Sequence, residues 1–464
     1  MTDISIDPDV GCIIPAPGSW PISPQEDVVP ITATRLWVDG CFDFFHHGHA
    51  GLLLQSRRLC THLTIGLHSD EAITHHKGPP VMTLAERCAA VNASRFSSLC
   101  VPDAPYVTSL PWVDHYGCWF VGHGDDVTSD VDGEDCYRFV KRAGRMKIVS
   151  RTEGISTTDL VGRMLEGGSE HHVTSLLDDD AAEKTTAGWR RRLKDYASAP
   201  NGLDPYVQVH TYSQMTNTFT SLVPGLPPRP GQRIVYLDGA FDLFSSGHIA
   251  FLALVTDLET AHGESRGWNE AAARERRIHD FGEDYPPAYV IAGIHDDAVV
   301  NKYRGGNYPI MNVFERGLCV VQCRYIHAVI FSAPAVPGRE YLSSLPTASM
   351  ASGSDTAATR YPDAVYHGPF LSPSSSNTTT TTTTNTTTTR ATTTPDSYAA
   401  ANDLKVFITT LPHAFQDVNA AQIVSRILDK RAEYEERQRK KGVKGVGERE
   451  REVAERLDVG KNNG

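Results

Sequence analysis

The stretch WVDGCFDFFHHGH, Trp37 to His49, determines the interpretation of this chain, because it returns later as YLDGAFDLFSSGH, Tyr236 to His248. In the first copy an apolar strand ends in a Gly and Asp turn, and a His-His-Gly-His run leads into a Leu-rich helix. In the second copy Ser245 replaces the first histidine, while the glycine and the last histidine remain. We interpret the first copy as equipped for chemistry and the second as a relative that has lost half of the histidine pair.

Strands and helices alternate around both copies. The runs LWVD, THLTIGLHSD, WFVGHGDD and MKIVS are predicted strands, and HAGLLLQSRRL, LAERCAAVNASRF and YRFVKRAGRM between them have helical spacing. The second copy repeats this order from IVYLDGAFDLF through IAGIHDDAVV to RGGNYPIMNVFERGLCV, with an insertion near residues 257–289. Strands that alternate with helices form parallel sheets with crossover helices. The sequence therefore predicts an α/β fold of two tandem Rossmann-like domains with parallel sheets, joined by a linker.

Changes in composition predict the boundaries. The segments are a flexible N-terminal arm (1–30), the first domain (31–168), a linker (169–230), a degenerate second domain (231–345), a disordered Ser/Thr-rich insert (346–398), the C-terminal part of the second domain with a helix (399–440), and a charged tail (441–464). The insert contains NTTTTTTTNTTTT, and such a tract cannot bury enough apolar surface to offset its ordering entropy.

Bulk properties exclude several classes of protein. A net charge of -12 and a pI near 5.9 argue against a general nucleic-acid binder. The nine cysteines include no C-x-x-C pair, which argues against a zinc or redox centre. We find no signal peptide and no apolar run of about 20 residues that could cross a bilayer. These features predict a reduced, cytoplasmic protein without an integral membrane segment.

The His46-His47-Gly48-His49 turn is suited to phosphate chemistry. A glycine lets a phosphate approach the backbone, and a helix N-terminus supplies N–H groups and partial positive charge. Imidazoles on either side of Gly48 can donate hydrogen bonds to phosphate oxygens on which charge builds in a transition state. An isolated His-Gly-His is more often a structural coincidence, but its position after the strand and the VDGCFD turn favours a functional interpretation.

A second polar element is RTEGISTT, Arg151 to Thr158. Ser156 and Asp159 have the spacing of a capping box ahead of an apolar run, so an ordinary helix N-cap explains this segment structurally. The functional interpretation is a second helix N-terminus with hydroxyls and an arginine, suited to the tail phosphates of a nucleotide. Two such elements at opposite ends of one α/β domain are more specific together than either is alone.

HHGH combined with RTEGISTT resembles the paired signature of the cytidylyltransferases, and the duplicated layout resembles the ethanolamine-phosphate cytidylyltransferase family. The matching stretches include IGLHSDEAITHHKGPPVMTLAER, APYVTSL, HGDDVT, VDGEDCY and, near the C-terminus, RILDKRAEYEERQRKK. The resemblance implies two HxGH nucleotidylyltransferase domains, of which the first makes CDP-ethanolamine and pyrophosphate from CTP and phosphoethanolamine for phosphatidylethanolamine synthesis. It also implies Mg²⁺ bound with the CTP phosphates, and it allows a homodimer and peripheral membrane association.

The resemblance assigns roles to residues in these motifs. Catalytic roles fall to His46, His49, Lys77 and Arg151. CTP-binding roles fall to Gly40, Phe42, Asp43, Gly48, Arg87, Gly124, Ser156, Thr157 and Thr158. Acceptor-binding roles fall to Asp126, near the ammonium group, and Tyr106; no metal ligand is assigned.

Four of these assignments have a structural alternative. Lys77 can be an ordinary exposed lysine, and Arg87 a solvated charge on its helix. Asp43 either orders the turn or holds a metal-bound water. Asp126 can simply form a turn at the end of its strand.

The chain departs from the family pattern in both copies. Where the family usually carries Trp-Val-Asp-Glu-Val, residues 96–100 read FSSLC, so Ser98 and Leu99 replace two acidic residues. This loss predicts an altered helix–strand junction and a change in substrate affinity. No RTEGISTT counterpart precedes Ala420, and Arg304 is the candidate replacement for Lys77 in the second copy. We hypothesise that the second copy does not catalyse and instead supports or regulates the first.

Two other functions remain open at this point. The first is a cytidylyltransferase that acts on phosphocholine or another phosphoalcohol, because no residue here discriminates a primary from a trimethylated ammonium. The second is a CTP-binding regulatory protein without turnover. The degenerate second copy and the lost acidic pair are compatible with such a protein.

Overall fold

The structure is a computed structural model that describes residues 5–6, 13–14, 29–126, 128–152, 154–173, 183–347, 361–368 and 397–439. The predicted charged tail, most of the predicted arm and most of the predicted Ser/Thr-rich insert lie outside these residues. Each sequence repeat forms a sheet of parallel strands, so the α/β fold with two parallel sheets is confirmed.

The first repeat is built on five parallel strands in the order β5-β4-β3-β6-β7. Its central strand carries the run Leu36-Trp37-Val38, which is at most 1% exposed because both faces of the sheet are covered by helices. The elements are the paired short strands β1 (Ser5–Ile6) and β2 (Ile13–Ile14), then β3 (Thr32–Gly40), α1 (His47–Arg57), β4 (His62–Leu67), α2 (Asp70–Lys77), α3 (Leu84–Ala93), β5 (Leu99–Val101), α4 (Leu110–His115), β6 (Cys118–Gly124), α5 (Arg138–Arg142), β7 (Met146–Val149) and α6 (Thr157–Glu166).

The second repeat forms a seven-stranded sheet in the order β14-β13-β10-β11-β12-β8-β9. All neighbours are parallel except β8 and β9, which form an antiparallel edge. The elements are α7 (Glu183–Tyr196), β8 (Gln208–Ser213), β9 (Thr218–Val223), β10 (Arg233–Gly239), α8 (Ser246–Ser265), α9 (Ala271–Phe281), β11 (Ala288–Ile294), α10 (Asp297–Arg304), α11 (Val313–Val321), β12 (Ala328–Phe331), α12 (Arg339–Ser343), β13 (Ala364–His367), α13 (Ala399–Asp403), β14 (Phe407–Thr409) and α14 (Ala420–Asp429), after which residues 431–439 are again helical.

Two parts of the second sheet differ from the predicted boundaries. Strands β8 and β9 lie in the segment predicted as linker. They form an edge hairpin, and their sequences mix polar and apolar residues, so no continuous apolar run predicts them. Strand β13 lies inside the segment predicted as a disordered insert and pairs with both β10 and β14. Its short run AVYH is buried at three of four positions, but the surrounding Ser and Thr residues dominate the composition.

The two repeats pack on each other through equivalent turns. Ser94 and Cys323 form an isolated antiparallel bridge between them. Buried Arg95 donates to three carbonyls of the opposite turn at 2.8 to 3.1 Å. In return, Arg324 donates to the carbonyls of Ser94 and Ser97 at 3.0 and 2.9 Å. An arginine of each repeat therefore donates hydrogen bonds to backbone carbonyls of the other repeat.

Two bidentate ion pairs cross the same interface. Arg163 on α6 binds Glu315 of α11 at 2.7 and 2.9 Å, and Arg426 on α14 binds Glu86 of α3 with both contacts at 2.7 Å. Each glutamate also closes the capping box of its own helix. The last helix of each repeat thus supports a helix N-terminus in the other repeat.

No helix among the described residues is long and apolar enough to cross a bilayer.

Candidate active site

The candidate site lies at the carboxyl edge of the first sheet. Strand β3 pairs with β4 on one side and with β6 on the other, so the strand order reverses there. In open α/β sheets, ligands bind outside the carboxyl ends of the strands at such a switch point. Gly40 ends β3 and Gly124 ends β6, so the HxGH turn and the His123–Asp126 segment leave the same edge of the sheet on adjacent strands. The space outside these strand ends is called the crevice below.

The turn after β3 is strained and tightly packed. Phe42, Phe44 and Phe45 have φ values of 54°, 61° and 26°, a region that costs non-glycine residues roughly 1–3 kcal/mol each. All three rings are buried, and the ring centroid of Phe42 lies 5.3 Å from that of His49. Aromatic packing therefore holds a backbone conformation that presents the histidines at the start of α1.

His46 is the N-cap of α1, and its geometry fixes the position of its proton. The Gly48 N–H donates to His46 Nδ1 at 3.1 Å, so a neutral ring carries its proton on Nε2. A Cβ at Gly48 would lie 2.9 Å from the His46 ring, which explains the glycine. The His46 and His49 rings stack with centroids 4.0 Å apart. The structure therefore brings the two predicted histidines together.

The intervening His47 points to the other side of the helix. It is 2% exposed, and burial lowers its pKa to about 3, with nearby arginine charges adding to the effect. Its carbonyl accepts a hydrogen bond from the Tyr196 hydroxyl at 2.6 Å. His47 is therefore a structural residue between α1 and α7.

The RTEGISTT segment packs against α1. A Cβ at Gly51 would lie 2.2 Å from Thr152 Oγ1, and one at Gly48 would lie 3.1 Å from the Ile155 side chain. Ser156 is the N-cap of α6, its hydroxyl accepting from the Asp159 N–H at 3.1 Å, and Thr157 and Thr158 form the first turn. Ser156 therefore acts as an ordinary helix N-cap. The contacts of Gly48 and Gly51 with this segment also bring the N-termini of α1 and α6 together.

Arg151 and the β6 segment border the same crevice. The Arg151 side chain is exposed, and its N–H donates to Asp125 Oδ1 at 3.1 Å. Asp126 is also exposed, and a Cβ at Gly124 would lie 2.6 Å from Asp126 Oδ1. These contacts connect the segment after β6 to the segment after β7.

Tyr106 is the centre of a small aromatic cluster near the end of α2. His76 stacks on Tyr106 with ring centroids 3.9 Å apart, and His68 lies 4.9 Å from the same ring. Burial lowers the pKa of His68 to about 4. Lys77 ends α2, is exposed, and places Nζ 5.7 Å from the Tyr106 centroid. Lys77 and Tyr106, predicted for different substrates, are therefore neighbours.

Asp39 is a residue that the sequence interpretation missed. Its carboxylate is buried and accepts from Trp37 Nε1, Thr108 Oγ1 and the Tyr137 hydroxyl at 2.9, 2.6 and 2.6 Å. Asp238 in the second repeat is bound by two tyrosine hydroxyls in the same way. The aspartate shared by VDG and LDG was the available signal.

Asp43 and Arg87 belong to a framework that both repeats share. Asp43 accepts from the amides of residues 81 and 82 at 3.0 and 2.9 Å, as Asp242 does from residues 310 and 311. Arg87 is 1% exposed and donates to three carbonyls and to Asp70. Arg316 makes the equivalent four contacts. The alternative of a solvated charge is therefore wrong for Arg87, and its contact with a CTP phosphate stays a prediction.

The equivalent crevice of the second repeat is closed. Ser245 donates to the Val418 carbonyl at 2.7 Å, and a Cβ at Gly247 would lie 2.3 Å from that same oxygen. The Ser245 N–H donates to His248 Nδ1 at 3.1 Å. Burial lowers the pKa of His248 to about 4, and the charge of Arg304 contributes. The residues before α14 therefore occupy the space beside the second copy of the motif.

The lost acidic pair lies away from the crevice. Ser98 and Leu99 are at the amino end of β5, whereas the candidate site is at the carboxyl ends of the strands. Ser98 Oγ accepts from Arg57 Nη1 at 2.7 Å and from the Leu63 N–H at 3.1 Å. The junction between α3 and β5 therefore forms with a hydroxyl in place of a carboxylate.

Comparisons with known proteins agree with this site. A cytidylyltransferase-like family model matches residues 37–163. The ethanolamine-phosphate cytidylyltransferase of Mus musculus is 39% identical over 310 residues, 65% of this chain and 70% of the relative. That of Dictyostelium discoideum is 32% identical over 414 residues, 89% of this chain and 95% of the relative. Choline-phosphate cytidylyltransferase A of Rattus norvegicus is 38% identical over 133 residues, only 28% of this chain.

Proposed function

This chain belongs to the ethanolamine-phosphate cytidylyltransferase family, and we propose that it transfers the cytidylyl group of CTP to phosphoethanolamine, giving CDP-ethanolamine and pyrophosphate. The observation that carries this proposal is the meeting of two helix N-termini at the switch point of the first sheet. The HxGH histidines lie on the N-terminus of α1, and the RTEGISTT segment leads into that of α6.

The reaction requires positioning more than proton transfer. A phosphate oxygen of phosphoethanolamine attacks the α-phosphorus of CTP, a new P–O bond forms, and the bond to the β-phosphate breaks to release pyrophosphate. The attacking oxygen is already anionic near neutral pH, so no strong general base is needed. Alignment of the reacting groups and stabilisation of the developing charge then lower the barrier.

We assign charge stabilisation to His46, His49 and the N-terminus of α1. The Nε2–H of a neutral His46 is a donor, because its Nδ1 is occupied by the Gly48 N–H. Preorganised donors of this kind stabilise charge on a transferring phosphoryl group, and removal of one such donor typically costs about 100- to 1,000-fold in turnover.

We assign the β- and γ-phosphates to Lys77, Arg151 and the first turn of α6 with Ser156, Thr157 and Thr158. The described residues contain no cluster of three or more His, Cys, Asp or Glu side chains that could hold a metal ion. Mg²⁺ is usually bound through substrate phosphates with one or two carboxylates, so we propose it as an ion carried by the triphosphate, whose charge it would neutralise. Lys77 and Arg151 would meet the remaining negative charge.

The acceptor is assigned to the side of Tyr106 and Asp126. An ammonium group is attracted to aromatic faces and to carboxylates; Tyr106 is buried, so the half-buried His76 ring stacked on it is the aromatic surface at this position. The second repeat has Ala335 where the first has Tyr106, and its crevice is closed, so we assign catalysis to the first repeat alone. A cytoplasmic location, a homodimer and peripheral membrane association remain predictions, which fractionation, sedimentation and vesicle flotation would test.

The test is pyrophosphate release from CTP and Mg²⁺ with phosphoethanolamine, phosphocholine or glycerol 3-phosphate as acceptor. We expect preference for phosphoethanolamine and a loss of about 100-fold or more for His49→Ala. His248→Ala is the matched control in the second repeat and should change turnover less than twofold. Preference for phosphocholine would replace the acceptor in this proposal, and CTP binding without turnover would favour a regulatory role.

A further inference from the structure

The helical residues 431–439, called the C-terminal helix below, cross from the second repeat to the candidate site of the first. Tyr434 is 3% exposed and donates through its hydroxyl to the Pro80 carbonyl at 3.2 Å. Arg437 Nη1 donates to the Pro79 carbonyl at 2.6 Å. Gln438 Nε2 donates to the Thr158 carbonyl at 3.1 Å. One helical turn thus contacts both the residues after Lys77 and the first turn of α6.

Arg437 holds both ends of the Lys77 loop, residues 77–82. Its Cγ would lie 3.4 Å from a Cβ on Gly78, the residue after Lys77, where φ is 91°. Its Nη1 also lies 3.6 Å from Asp43 Oδ2, and the two side chains are only 16% and 1% exposed. Asp43 in turn binds the amides of residues 81 and 82 at the far end of the loop. The loop is therefore fixed at its start by contact with Arg437 and at its end through Asp43.

The second repeat lacks this cation. No arginine forms an ion pair with Asp242 in the part of the chain that the structure describes. The loop before α11 is met instead by His171 and His172, which donate to the Pro309 carbonyl at 2.8 and 3.0 Å. Burial lowers the pKa of His171 below its ordinary value, so that side chain is neutral at neutral pH. Arg163 donates to the Ile310 carbonyl of this loop at 2.9 Å, as Arg426 donates to the Val81 carbonyl of the Lys77 loop at 3.1 Å. Among the described residues, the additional arginine paired with the turn aspartate is therefore particular to the loop beside the complete histidine pair.

We propose that Arg437 is a positioning residue for CTP, supplied to the first repeat by the C-terminal helix of the second. It holds Asp43 and the Lys77 loop so that Lys77 faces the triphosphate, while Gln438 fixes the Thr158 end of the same site. The second repeat then has a defined role in catalysis although its own crevice is closed. This inference rests on the proposed function and adds a residue to the same site.

The test compares Arg437→Met and Arg437→Lys with Arg439→Met, a control on the same helix whose exposed side chain binds only Glu436 among the described residues. We expect Arg437→Met to raise the KM for CTP about tenfold, as for the loss of one charge-assisted hydrogen bond. The kcat and the KM for phosphoethanolamine should stay within twofold, and Arg437→Lys should recover most of the affinity. Arg439→Met should match the wild type.

Two results would overturn the inference. One is an unchanged KM for CTP in Arg437→Met. The other is a uniform fall in kcat, both affinities and melting temperature that Arg437→Lys does not restore, because this would indicate a merely structural contact. If the wild type shows no turnover, the proposed function fails, and calorimetric CTP binding by the same variants still decides the role of Arg437. Equal binding, or no binding by the wild type, would then count against it.

Discussion

The crossed ion pairs give the sharpest test of how the two repeats depend on each other. Arg426→Met removes a guanidinium that binds both carboxylate oxygens of Glu86 at 2.7 Å and the Val81 carbonyl at 3.1 Å. The Glu86 side chain is 4% exposed and that of Arg426 is 24% exposed. After the substitution, Thr83 still donates its N–H to that carboxylate at 2.9 Å, but no cation among the described residues pairs with it.

The expected cost follows from leaving a buried charge unpaired. Burial alone would raise the pKa of Glu86, but the Arg426 guanidinium and the Thr83 amide outweigh it and hold the pKa below its usual value. Breaking one partner of a buried pair typically costs about 3–5 kcal/mol, whereas replacing both partners costs much less. We therefore expect Arg426→Met to lose about 3 kcal/mol of unfolding free energy, and Arg426→Met with Glu86→Gln to lose about 1–2 kcal/mol.

Urea denaturation at pH 7 measures these differences, with the exposed Arg439→Met as the control that should match the wild type. Glu86→Gln alone should cost no more than about 1 kcal/mol, so the coupling energy of the double-mutant cycle should be about 2 kcal/mol. The reasoning is wrong if Arg426→Met is as stable as the control, or if the two substitutions add without coupling. The symmetry of the interface also requires Arg163→Met to behave similarly, since its contacts with Glu315 have nearly the same lengths.

Three further outcomes follow from single residues. In a His49→Ala background, Ser245→His should add no pyrophosphate release, because backbone carbonyls already crowd the second motif; restored turnover would contradict this. Between pH 7 and pH 5 the wild type should lose about 2 kcal/mol more unfolding free energy than His47→Gln, measured by urea titration. The reason is that the unfolded chain takes up the proton below the ordinary pKa of 6.5, whereas folded His47 does so only near 3. Ser98→Ala should cost about 1 kcal/mol of unfolding free energy and leave both KM values unchanged, which a raised KM would refute.

Local patterns predicted much of this fold, and the failures have identifiable causes. Sequence patterns predicted the alternation of strands and helices and the capping positions, because these features depend on residues that are close together in the sequence. Strand β13 was missed because four strand residues lie within a Ser/Thr-rich composition. Arg87 was misjudged because an arginine on a helix is usually solvated, and its acceptors come from turns that only the fold brings together. Arg437 carried no local signal, since its partners lie in the other repeat.

Comparison of the two copies distinguishes residues that hold the fold from residues that act on substrates, because the crevice is closed in the second copy. Asp242 and Arg316 keep the hydrogen bonds of Asp43 and Arg87 although Ser245 has removed a histidine, so these contacts are needed to hold the turn whether or not a substrate binds. Several residues assigned to substrates in the first copy have no equivalent in the second, including His46, Tyr106 and Asp126. Substitutions at Asp43 or Arg87 should therefore lower stability and activity together. By contrast, substitutions at Asp126 and Arg151, which are exposed and differ between the copies, should lower activity at nearly constant stability.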